Sequence, residues 1–471
     1  MAHVPHTTTR RIWTVAALTA LTVAAAGAPP AQAASGDALA RNMRVVGHDD
    51  LGGRGFNADV FVHERYAYVG SWGFEDWSGG GDNRFCPDQA HSGVAVIDAR
   101  VPARPAMVSK LQNPADTSAE DVVAFTARFG PLASHDIAVA GIQTCGSRFD
   151  TGLFRGLQVW DVSDPAQPAE IGRLNTGCCT RGIHELEVQH RADLGRTFVY
   201  ASVPASEYPE ADSPSGRRDR VGRGDFRLID ITNPTAPVEV SNWGVVHDLG
   251  GPPAAGLGCD PDPIYGHSAE PSADGRLAFL AYWDSGFIAV DVTDPTRPVF
   301  RGRTVYPPNA DGDAHSSTYD EARGLLFTAD EDFCKTSGSS TEKGYGYLRV
   351  YDYRNLADPM QIGQYKTPNS IGTNDQQAGD YVIHNPLLVG TDVYASWYSD
   401  GVRVIDTSDP RTLREVAFFV PPRTNNPVSP SPRGVLNNAP QVWGVAVDET
   451  IGLVYLSDMN SGLWIVQRTD T

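Results

Sequence analysis

One stretch of this chain returns at a near-constant interval, and that constrains the fold more than anything else in it. Gly156–Gly172 reads GLQVWDVSDPAQPAEIG. Kindred stretches begin at Gly93, Asp225, Gly286, Gly346 and Gly401, and a truncated one, GLWIVQ, at Gly462. Successive starts lie 63, 69, 61, 60, 55 and 61 residues apart. A period of that size implies an array of like units, each burying its faces against its neighbours.

Each unit has the same local logic. Val94, Val96 and Asp98 alternate with Ala95 and Ile97, a period-2 pattern rich in β-branched residues that predicts a strand. Ser163-Asp164-Pro165, Thr232-Asn233-Pro234, Thr293-Asp294-Pro295 and Ser408-Asp409-Pro410 follow such strands. In these turns Asp or Asn bonds its own backbone and Pro fixes φ. A second Pro (Pro168, Pro237, Pro298) leads into another short strand. Two more strands precede the repeat, as in Asp59–Val62 with Tyr66–Val69, Glu185–Val188 with Phe198–Ala201, and Val445–Val447 with Leu453–Leu456.

Four strands per unit, taken seven times, predict an all-β chain: a seven-bladed β-propeller of four-stranded blades. The last unit lacks its fourth strand. Met43–His48 reads as a strand that completes it, so that an N-terminal strand closes the ring and leaves no open edge. With its valine-isoleucine-aspartate cores and Ser/Thr-Asp/Asn-Pro turns, the chain resembles the LVIVD-repeat proteins of bacterial surfaces and secretions over roughly Val45 to Gln467. The resemblance implies the propeller architecture and carries no activity with it.

The N-terminus reads as a secretory signal peptide, residues 1–33, ahead of a single propeller domain, 34–471. Arg10-Arg11 is its basic region, Ile12–Gly27 its apolar region and Ala31-Gln32-Ala33 its cleavage site. The arginine pair also fits twin-arginine export. No later segment is apolar enough to span a membrane. The formal charge is −19, or about −21 once Arg10 and Arg11 are removed. So acidic a chain disfavours nucleic acid and anionic membranes, and tolerates cations.

Six cysteines in an exported chain predict disulfides. Cys86, Cys145, Cys178, Cys179, Cys259 and Cys334 all fall in loops expected on one face of the ring. Cys86–Cys145 is the expected bridge between neighbouring blades. Cys259 would pair with Cys178 or Cys179, leaving the other for Cys334, and a vicinal Cys178–Cys179 bridge stays open. Long polar insertions at 72–92, 205–223, 245–265, 332–345 and 423–438 enrich the same face, which is where binding usually resides.

Aligning the starts of the innermost strands places Asn57, Glu120, His184, His267, His315, His384 and Trp443 at one level. Four consecutive blades therefore carry His where the channel should open. Two readings stand. The four imidazoles form a metal site for Cu, Zn or Fe, with Glu120, Glu185 and Glu270 as supporting carboxyls and His267, His315 and His384 as the tighter triplet. Alternatively, one structural His has been copied by duplication. The metal reading is similar in broad plan to selenium-binding/methanethiol-oxidase propellers, whose His residues hold copper near the axis. Asp311–Asp313 and Asp330–Asp332 offer carboxylates that suit Ca²⁺, or are simply solvated turns. Trp283, Trp397, Tyr398 and Trp443 could form an aromatic platform. Two functions follow. The first is a secreted scaffold that engages an extracellular protein or glycan through the loop-rich face. The second is a metal-binding protein or metalloenzyme with His at the channel mouth. No hydrolase or nucleotide-binding motif is present.

Overall fold

In the computed structural model the described residues are 38–470, apart from 74–84, 146–151, 178–179, 205, 207–222, 251–264, 307–311, 334–343, 372–378, 425–426 and 428–437. The expected signal peptide, Cys178, Cys179, Cys259, Cys334 and most of the long insertions therefore lie outside the described residues. Ser35–Thr471 forms one compact unit.

The described residues fold almost wholly into propeller-like antiparallel sheets. Leu186–Arg191, Arg196–Ser202, Phe226–Asp230 and Val238–Trp243 pair in chain order. The same meander repeats from Ser268 to Arg303 and from Ala314 to Tyr365. Asn57–Leu111 and Thr117–Asn175 make two further meanders, joined where Ser71 pairs with Ala119. The Pro386–Val420 meander gains a fifth strand, Leu39–Arg41, against Arg414–Val420. No sequence signal marked that strand. Val442–Asp448, Leu453–Asp458 and Gly462–Arg468 are completed by Met43–Asp49, which pairs antiparallel with Gly462–Arg468, Met43 opposite Arg468. No helix among the described residues is long and apolar enough to cross a membrane.

Alternation within each strand feeds two cores. Phe198 and Tyr200 pack toward Leu280 and Ile288 of the next sheet, whereas Val199 and Ala201 pack toward Val139 and Val159 of the preceding one. Strands covered on both faces must be apolar at odd and even positions alike, as these are. The series continues to a core uniting Val69 and Ile97 of the first meander with Tyr455 and Ile465 of the last.

The repeated turn has a structural job. Its strand-end aspartate accepts a bond from the amide two residues on, at 3.0 Å for Asp161 and 2.8 Å for Asp230 and Asp291. The turn then docks on the fourth strand of the preceding sheet. Ser109 donates to the Pro165 carbonyl at 2.5 Å, and Ser241 to that of Pro295 at 2.6 Å. Elsewhere glycine makes the room. A Cβ on Gly172, Gly302 or Gly363 would sit 2.2, 1.9 or 2.0 Å from the approaching carbonyl oxygen. Gly47 meets the Pro102 carbonyl in the same way, which ties the N-terminal strand to the first unit.

Candidate metal centre

Ladder register sets one level across the inner strands. The amides of His184, His267 and His384 donate to Ser202, Ala281 and Ser396 carbonyls at 2.9, 2.8 and 2.9 Å. His315 sits in a bulge between Ala314 and Ser316. The next residue locks neighbouring strands together: Ser268 donates to the His315 carbonyl at 2.7 Å, and Ser316 to that of His384 at 2.6 Å. In the first meander the level is held by Ala58. Asn57, expected there, lies one residue short of it: Asp59 accepts the Val60 amide at 2.7 Å in the bulge, and the Ala58 carbonyl takes the Ser457 hydroxyl as the His315 and His384 carbonyls take Ser268 and Ser316. Asp121 does the same for Val122, which keeps Glu120 at the level.

The four imidazoles form a continuous arc. Ring centroids step 4.2 Å from His184 to His267, 3.9 Å to His315 and 4.1 Å to His384. Trp443 follows at 4.5 Å from His384. All four imidazoles are buried, His384 completely.

Hydrogen bonds fix the tautomers. The Trp72 indole N–H can only donate, and it donates to Gln143 Oε1 at 3.0 Å. That oxygen therefore faces His184, whose Nδ1 lies 3.0 Å away and must carry the proton. Glu120 also touches this Nδ1. His184 Nε2 is then an acceptor, so His267 Nε2, 2.7 Å away, donates to it. His267 Nδ1 has no well-formed hydrogen bond among the described residues; it lies 3.8 Å from Glu185 Oε1, and the ring also feels the His315 carbonyl. A parallel argument holds for His315. The single Ser316 hydroxyl proton goes to the His384 carbonyl, so the oxygen accepts from His315 Nδ1 at 3.0 Å. His315 Nε2 is then the acceptor nitrogen, 3.5 Å from Glu331 Oε2. Neither ring nitrogen of His384 has a well-formed hydrogen bond among the described residues.

Two sets of potential ligand atoms lie within 4.8 Å of one another: His267, His315 and Glu331, and Glu185, His315 and His384. His315 belongs to both and His184 to neither; both nitrogens of His184 are engaged, by Gln143 and His267. Glu331 was missed as a partner because it sits at the end of a second strand, in a run that read as an acidic turn. Tyr398 donates to it. Glu270 is not beside the imidazoles. It lies three residues beyond His267, where it accepts the Tyr319 amide at 3.4 Å and faces Glu187.

Burial governs the charge here. Desolvation pushes His184 down to about 3, aided by Arg181, and holds His267, His315 and His384 well below the usual imidazole range. The same desolvation lifts Glu331 to about 8, against the Tyr398 hydrogen bond, and Glu120 and Glu185 well above the carboxylate range. Without a cation the cluster at neutral pH is neutral imidazole facing protonated carboxyl.

Aromatic residues wall the cluster on the loop side. Trp72 lies 6.3 Å from His184, Trp283 5.5 Å from His267 and Tyr398 5.2 Å from His384. Trp283 stacks on Tyr265 at 5.1 Å. The expected platform is thus interior: Trp283, Trp397, Tyr398 and Trp443 are all buried. Trp397 stands apart, its N–H donating to Ser370 and to the Tyr381 carbonyl at 2.9 and 3.0 Å. Cys86 and Cys145 form the expected disulfide, Cα atoms 5.2 Å apart, beside Phe85 of the same wall. Asp330, offered for Ca²⁺, is instead paired with Arg349 and bonded by the Tyr306 hydroxyl at 2.8 Å. Asp311 lies outside the described residues.

Segments 153–176, 221–244 and 266–305 match the LVIVD repeat. This chain carries LVIVD repeats. No curated protein matches it. The first two LVIVD segments span the third strand, the turn and the fourth strand of a sheet, and the third spans a whole sheet. Of the four imidazoles only His267 falls inside a matched segment, so the LVIVD pattern describes the frame and leaves the cluster to this chain's own residues.

Proposed function

We propose that this LVIVD-repeat protein is an exported, closed seven-bladed β-propeller that binds a transition-metal ion in its imidazole–carboxyl cluster. The ring reading is supported by the core shared between the first and last meanders, and by a cavity of about 390 Å³ lined from seven inner strands, Asp59–Val62 through Val445–Val447. Export rests on the N-terminal sequence and is compatible with the Cys86–Cys145 bridge.

One observation carries the metal reading. His267 Nδ1 and both His384 ring nitrogens are buried without a well-formed hydrogen bond among the described residues, and each of these imidazoles is grouped with His315 and a glutamate whose ligand atoms lie within 4.8 Å of one another. Buried polar groups are normally satisfied, and leaving them bare costs about 1–3 kcal/mol each. A cation held by either group would give such nitrogens a partner. Two imidazoles with one carboxyl suit Zn, Cu or Fe, and not the all-oxygen preference of Ca²⁺. When bound, such an ion supplies a Lewis acid or redox centre. The chain holds its lone pairs in place through Gln143 and Ser316, and its aromatic wall restricts water. The alternative of a docking face for an extracellular protein or glycan loses its aromatic anchors, since all four are buried.

Elemental analysis of the natively exported, untagged protein tests this, beside a His315→Ala/His384→Ala variant. Near-stoichiometric copper, zinc or iron, lost in the variant, is expected. Metal-free protein whose melting temperature ignores added Cu²⁺, Zn²⁺ and Fe²⁺ would refute it.

A further inference from the structure

The cluster has two approaches, and they differ in chemistry. On the loop side, among the described residues, stands the aromatic wall of Phe56, Trp72, Phe85 and Trp443. On the other side lies the cavity among the inner strands. Glu185 belongs to both: it is grouped with His315 and His384, and it lines that cavity. It is 8 % exposed, and its Oε1 has no hydrogen-bond partner among the described residues. Ser317 Oγ, also 8 % exposed and without a partner, lines the same cavity.

Further along stand Glu187 and Glu270, on neighbouring inner strands and close enough to feel each other's charge. Asp59 and Asp121 share the cavity, but their carboxylates are occupied. Asp121 holds the Val122 and Leu186 amides, both at 2.7 Å, and Asp59 holds Val60 and the Asn385 side chain. Glu187 also lines a second, more open cavity of about 680 Å³, which shares Phe61, Val62 and Val123 with the first. Arg128 stands on the wall of that vestibule, so carboxyl ligands line the passage only from Glu187 inwards.

We infer that this cavity is the route by which the metal ion reaches the imidazoles, with Glu187 and Glu270 as a holding station and Glu185 as the hand-over ligand. The inference rests on the metal reading above. A carboxyl pair can give up its proton to an arriving ion and replace part of its hydration shell while water still fills the passage.

The test is stopped-flow uptake of Co²⁺ and, separately, Cu²⁺ by metal-stripped full-length protein. Wild type is compared with Glu187→Gln/Glu270→Gln, with Glu270→Lys, and with Glu449→Gln as an exposed control. The double variant should load about tenfold or more slowly and reach the same final stoichiometry, with Glu270→Lys slower still and Glu449→Gln unchanged. Melting temperatures of the stripped proteins separate slow loading from misfolding, and Glu270→Lys tests the route if the double variant is unstable. Equal rates in wild type and in both channel variants would overturn the route and leave the cluster standing. No uptake of either ion by wild type would overturn the cluster, and the route with it.

Discussion

The repeat-encoded turns and the inner-strand level both come round once per unit, yet they behave in opposite ways. At the turns equivalent residues repeat one task. Asp161, Asp230 and Asp291 each hold the amide two residues on, and each docked carbonyl meets Ser or Gly on the preceding sheet. At the inner level the backbone bonds are just as regular, but the side chains divide. One side of the level carries the four-imidazole arc, and the other carries Trp443, Ala58 and Glu120. A rigid, repeated frame lets side chains diverge at the one level where the inner strands meet, because ladder bonds, with Ser268 and Ser316 between strands, hold that level in place.

The sharpest break in this contrast comes from His315→Ala. It removes the imidazole common to both ligand sets and leaves the ladder intact. Metal affinity should fall by more than the about 100-fold that loss of a mere supporting partner causes. The apo melting temperature should barely move. Calorimetric titration with Zn²⁺ and thermal melts check both. A large fall in apo stability with unchanged affinity would make His315 architecture after all.

The converse variant is Gly302→Val. Its Cβ would lie 1.9 Å from the Leu356 carbonyl oxygen, so the docked turn must move. We expect a loss of about 2–3 kcal/mol in denaturant unfolding with metal stoichiometry preserved. If metal is lost as well, frame and cluster are not separable.

The same division explains what could be read from the chain. Strand alternation, the Asp-Pro turns and the N-terminal strand Met43–Asp49 are local patterns, and each was legible. The His level was legible too, because register carries it round the repeat. Glu331 was not. It reaches the cluster from the end of a second strand, and only tertiary packing brings it to His315. Nor were the proton positions, which depend on Trp72 fixing Gln143 and on Ser316 having one proton to give. The aromatic residues were expected exposed and are buried, since sequence cannot show that Trp443 packs against His384.

The pH profile sharpens the comparison in another way. The buried imidazoles titrate far below neutrality, so they release no proton on binding metal at pH 6–8. Glu331 does, because burial has lifted it to about 8. Affinity should therefore climb about tenfold per pH unit below pH 8, for each carboxyl that gives up a proton, and then level off. Exposed imidazoles would instead give a break near pH 6.5. For the apo protein the sign reverses. A carboxyl whose folded value is raised stabilises the fold at low pH, and that stability drains as pH rises toward 8. Titration calorimetry and melts across pH 5–9 read both slopes.

The smallest expected effect lies on the frame. Ser241→Ala deletes one hydrogen bond, to the half-buried turn at Pro295, and should cost about 1 kcal/mol. Its value lies in the comparison with glycine at the same level. Gly172, Gly302 and Gly363 take the approaching carbonyl with no side chain at all, so contact and not the hydrogen bond holds those turns. If the Ser hydroxyl is a second way of meeting the same carbonyl, Ser241→Ala is measurably worse than wild type, while Ser241→Gly adds only the roughly 0.5–1 kcal/mol entropic penalty of glycine in a strand. Ser241→Ala indistinguishable from wild type in urea unfolding would mean that shape alone docks every turn, and that the frame tolerates any small residue there.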